Sequence, residues 1–63
     1  MTTQKEILDA ITSDLISLYI RGSISEVYFA ASLLRHGYNA RDAVAEINQQ
    51  RPNREEYHKH FGG

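Results

Sequence analysis

Apolar residues along this 63-residue chain recur at spacings of three and four, and no segment alternates apolar with polar as a half-buried strand would. In the first segment Ile7, Leu8, Ile11, Leu15, Leu18 and Tyr19 fall on one helical face. In the second, Ile24, Val27, Tyr28, Ala31 and Leu34 share a side. The third carries a narrower stripe of Ala43, Val44 and Ile47. Tyr57 and Phe61, four apart, share a face of a short final segment. The pattern predicts helices over 4–21, 24–36, 40–51 and 54–61.

Start and stop signals fit those bounds. Four times a residue able to accept a backbone hydrogen bond stands three places before an acid: Thr3/Glu6, Ser23/Glu26, Asn39/Asp42 and Asn53/Glu56. At a helix start the cap side chain takes an otherwise unpartnered N–H, and the acid can reach back to the cap and meet the positive end of the dipole. Gly22 and Gly37 stand where a left-handed residue would close a helix. Pro52 is expected to end the third helix, because the residue before a proline avoids helical angles. Gly62 and Gly63 are expected to end the fourth.

With connections of one to three residues, these elements predict an all-α domain spanning 1–63, a small three-helix bundle with a short fourth C-terminal helix. A chain this short buries only about 60% of its unfolded surface, so its core is thin and a second copy would add to it. The expected assembly is a homodimer. There is no Cys, the N-terminal residues do not read as a signal peptide, and no run approaches the ~20 apolar residues of a membrane span. The expected location is cytoplasmic.

Some apolar residues do not fit one core. Phe29 and Leu33 point almost opposite to Ile24, Val27 and Leu34, and Ile16 and Ile20 lie off the main stripe of the first helix. Either the second helix is central and covered on both sides by the other three, or the patch lies outside the core and marks a binding surface, which is the preferred reading. Ile16, Ile20, Phe29 and Leu33 are therefore the first candidate protein-binding set. Arg35, His36, Tyr38 and Arg41, around the turn after Gly37, are the second.

Chemistry has less support. His58 and His60 are two apart and diverge on a helix, whereas a helical metal pair needs a spacing of three or four. His36 could join one of them, but there is no Cys and no acid pair at ligand spacing, so no metal site and no cofactor is expected. No serine has a base beside it in a recognisable pattern, and no glycine-rich loop could cradle a phosphate. The expectation is a protein that is not an enzyme and has no small-molecule substrate.

DNA binding is the alternative function. The second helix, the Gly37–Tyr38 turn and the third helix could form a helix-turn-helix that brings Arg41, Asn48 and Gln49 to base edges, with Arg51, Arg54 and Lys59 on phosphates. Charge leans that way only weakly. Residues 1–34 carry two basic and four acidic side chains, residues 35–63 five and four plus all three histidines, and the whole chain is −1. Asp42 and Glu46 on the same helix would repel phosphate.

The stretch Leu34-Arg35-His36-Gly37-Tyr38-Asn39-Ala40-Arg41-Asp42-Ala43-Val44 resembles the Met-Gly-Phe/Tyr loop and following Ala-Val helix of ubiquitin-associated-type three-helix modules, with His36 in the usual Met position. The resemblance implies partner binding through that loop and the last helix. The leading expectation is thus a small binding module that acts on another protein and on itself. A regulator or inhibitor in bacteria or their viruses is the role such small proteins often fill.

Overall fold

The computed structural model describes residues 3–61, and every regular element among them is helical. The elements are α1 (Gln4–Ile11), α2 (Ser13–Ile20), α3 (Glu26–Arg35) and α4 (Ala40–Phe61). The predicted helical class holds, but the chain is divided differently. The first predicted helix is two, and the last two are one.

The break between α1 and α2 falls at Thr12, whose φ of −100° and ψ of 14° leave the helical region. Its hydroxyl donates to the Leu8 carbonyl (2.8 Å), a local bond that competes with regular helix. α1 keeps its expected start: Thr3 Oγ1 accepts from the Glu6 N–H, and Glu6 reaches back to the Thr3 N–H. The re-aimed α1 buries none of its residues, and Ile7 and Ile11, expected in the core, are exposed. Leu8, Leu15 and Tyr19 do pack inward.

Both glycine-ended turns close with the same pair of backbone bonds. The Ser23 N–H reaches the Leu18 carbonyl and the Gly22 N–H that of Tyr19. Tyr38 and Gly37 do likewise to Leu33 and Leu34. Gly22 at φ +77° and Gly37 at φ +103° take the left-handed conformation that this geometry requires. Ser23 is therefore spent on closing α2, and the cap of α3 is Ser25, whose hydroxyl accepts from the Tyr28 N–H. Asn39 caps α4 as expected, accepting from the Asp42 N–H at 2.7 Å.

Pro52 does not end α4. Its missing N–H and its ring both act on the Asn48 carbonyl, and on an exposed flank that carbonyl can tilt outward to water. Asn53, expected as a cap, instead donates its side-chain amide to Gln50 Oε1. The Gly62–Gly63 stop lies outside the described residues.

The core forms where α2, α3 and α4 meet: Tyr19, Phe29, Leu33, Tyr38, Ala43 and Ile47. Tyr19 and Phe29 stack with centroids 4.3 Å apart and planes nearly parallel. This corrects the expected rotation of α3. Phe29 and Leu33 have no exposed surface, while Val27 is 80% and Leu34 51% exposed. Three interactions set the rotation: the Tyr19–Phe29 stack, the Tyr19 hydroxyl donating to Glu26 Oε1 (2.9 Å), and the Arg51–Glu26 ion pair at 3.0 Å.

α1 is tied on by polar groups. The Lys5 ammonium lies 3.2 Å from Oε2 of the fully buried Glu46 and donates to Gln49 Oε1. Gln50 donates to the other Glu46 oxygen. Tyr38 donates its hydroxyl to Asp9 and lies 3.2 Å from the Thr12 hydroxyl. Burial and the bond to Asp9 raise the Tyr38 phenol above the ordinary tyrosine range. Burial works against the charge on Lys5, but its bond to Glu46 and the two carboxylates outweigh this and raise it.

Candidate functional site

With Phe29 and Leu33 inside, the outward flank of α3 carries a different apolar strip. Val27, Ala31 and Leu34 stand at spacings of four and three and share one side. Tyr28 and Arg35, seven apart, border it, and both are exposed. No residue from 27 to 34 is charged, whereas Glu26 opens the helix and Arg35 closes it.

The strip continues onto α4. Arg51 reaches across to Glu26, and Val44 lies two turns before Arg51 on the same flank of α4. The turn over 36–39 joins α3 to α4 and the Arg51–Glu26 pair joins the start of α3 to α4 further on, so α4 folds back along α3. Val44 lies in the part of α4 between the turn and Arg51, toward the Leu34 end of α3, and it is 57% exposed. Exposed Ile7 and Ile11 make a smaller apolar area on α1.

The expected binding residues are scattered. Phe29 and Leu33 leave the first candidate set because they fill the core. Ile16 and Ile20 are half-buried, and Ile20 lines an open cleft with Asp14, Ser17, Arg21 and Tyr57 between α2 and the end of α4. Of the second set, Arg35, His36 and Arg41 are exposed, while Tyr38 is buried with its hydroxyl bound to Asp9. The ring expected to make contacts in the loop is a core residue. Tyr57 and Phe61 pack at 4.9 Å, with Tyr57 half-buried in the cleft wall and Phe61 mostly exposed.

The nucleic-acid set is partly engaged within the chain. Gln49 accepts from Lys5, Arg51 pairs with Glu26, and the Arg54 guanidinium lies 5.0 Å from the Tyr19 ring centroid. The bond from Arg51, then that from Tyr19, holds the Glu26 carboxyl below its usual range; the same bond raises Arg51. Arg41, Asn48 and Lys59 are exposed. His60 bonds to Glu56 at 2.8 Å, and the His58 ring lies over Gly22. Among the described residues no three His, Cys, Asp or Glu side chains cluster as a metal site would.

Val27, Leu34 and Val44, which helical spacing places on the inward stripes, are surface residues. Both flanks of the second helix are apolar, and the one expected inside faces out. The available signal was aromatic: Phe29 is the ring on that helix that can stack on Tyr19 from the apolar face of the first segment. No family model, no curated protein and no solved structure matches this chain. No helix among the described residues is long and apolar enough to cross a membrane.

Proposed function

We propose that this protein is a cytoplasmic, non-enzymatic binding module that acts by protein–protein contact through the outer flank of α3 and the adjoining start of α4. One observation carries the reading. Val27, Leu34 and Val44 remain largely exposed although the core is closed by other side chains. An apolar strip outside a completed core is the kind of surface that associates with other proteins. Arg35 and Arg41, both exposed near its end, supply a polar rim with Tyr28.

The contact serves another protein, itself, or both. A homodimer and a role as regulator or inhibitor of a bacterial or phage process belong to this reading. A helix-turn-helix regulator is the weaker alternative, because Gln49, Arg51 and Arg54 are occupied by partners inside the subunit.

The test is retention of host proteins by the immobilised chain, with and without nuclease, compared with Val27→Glu and Leu34→Glu. The expected result is a protein, the host's own copy of this chain included, retained after nuclease treatment and lost with either variant. Retention that vanishes with nuclease, or that both variants preserve, overturns the reading.

A further inference from the structure

We infer that the occupant of the α3 strip is a second copy of this chain, docked so that the two α3 helices run antiparallel about a two-fold axis near Ala30 and Ala31. The inference rests on the protein-binding reading and names its partner. A two-fold contact uses the same patch on both copies, so the patch must complement itself. Centred between Ala30 and Ala31, the antiparallel alignment brings Val27 level with Leu34 of the other copy. Two exposed aliphatic side chains then cover each other twice. The small alanines lie at the midpoint, where the backbones come closest.

Charge selects the antiparallel sense. The start of α3 comes level with the basic end at Arg35 of the other copy; Glu26 there takes the Tyr19 and Arg51 bonds on Oε1, which leaves Oε2 to face Arg35, and the helix dipoles oppose. A parallel pair would set like ends together. Arg35 makes no ion pair among the described residues, and the uncharged run 27–34 lets the helices meet without stripping water from a charge between their ends.

Area argues for including α4. A standard interface buries about 800 Å² per partner, roughly a fifth of the 4476 Å² surface of this subunit. α3 is only about 15 Å long and cannot supply that alone. Val44, exposed on the flank of α4 that carries Arg51, is the apolar residue that would add to it.

Sedimentation equilibrium from micromolar to millimolar concentration tests the pairing, together with cross-linking. The chain has no Cys, so Ala31→Cys would carry the only thiol. At a two-fold crossing of close-packed helices the two positions 31 fall within disulfide reach. The expected results are a mass rising to twice 7.2 kDa, a disulfide-linked dimer from Ala31→Cys, and none from the exposed control Asn53→Cys. Val27→Glu and Leu34→Glu, both at exposed positions, are expected to keep native helicity and sediment as monomers.

A monomer throughout, with no linkage at position 31, overturns the self-pairing. If either glutamate variant of that monomer still loses a retained host protein, the protein-binding reading survives without it. A dimer that persists in both glutamate variants places the contact elsewhere and overturns the inference.

Discussion

Leu33 and Leu34 are neighbours with opposite fates. Leu33 is sealed beside Phe29, whereas Leu34 keeps half its surface in water. Leu33→Ala removes buried methyl groups and leaves a cavity, and is expected to cost about 2–5 kcal/mol. At low protein concentration Leu34→Ala is expected to stay within about 0.5 kcal/mol of the parent, as surface substitutions do. Urea denaturation of the two variants at one dilute concentration checks the contrast. Comparable losses at both positions would mean that the rotation of α3 is wrong. Periodicity alone could not separate these residues, because both sides of the helix are apolar and contacts from other helices, the Tyr19–Phe29 stack and the Tyr19 and Arg51 bonds to Glu26, distinguish them.

At the scale of elements, the caps at Thr3 and Asn39 were legible because capping is a local exchange between a side chain and an N–H three residues on. The same pattern misled at Ser23 and Asn53, where it competes with interactions the pattern does not contain. Ser23 lends its N–H to close α2, and residues around Asn53 continue a helix already in progress. Pro52 within α4 leads to a prediction. Pro52→Ala restores a backbone donor for the Asn48 carbonyl and relieves ring crowding, so it should raise stability, by up to about 3 kcal/mol. Thermal unfolding followed by circular dichroism reads this directly. An unchanged or lower midpoint would show that the helix gains from the proline at this position.

Across the whole molecule, Glu26 ties three helices, accepting from Tyr19 on α2 and Arg51 on α4 while it opens α3. Its carboxyl is held below the ordinary range, chiefly by Arg51. A lowered folded value favours the folded state once the unfolded carboxyl is ionised, above about pH 4.3. That contribution disappears as the pH falls through the lower, folded value. Stability should therefore decline on acidification over that range, and Glu26→Gln should make the decline shallower. Equal acid slopes in parent and variant would remove Glu26 from this role.

Helical class, the capped starts at Thr3 and Asn39 and the glycine-closed turns were determined by the sequence alone. Each depends on the conformational limits and hydrogen bonds of a few consecutive residues. Tertiary structure decided where the first helix breaks, whether Pro52 stops the last one, and which side of α3 faces inward. The local bonds at Thr12 and Pro52 permit more than one outcome, and contacts far apart in the chain select one: Thr12 with Tyr38 and Lys5 with Glu46 at α1, Tyr19 with Phe29 and Glu26 with Arg51 at α3 and α4. The exposed strip at Val27, Leu34 and Val44 follows from that choice of side, because burying one apolar flank of a helix leaves the other in water.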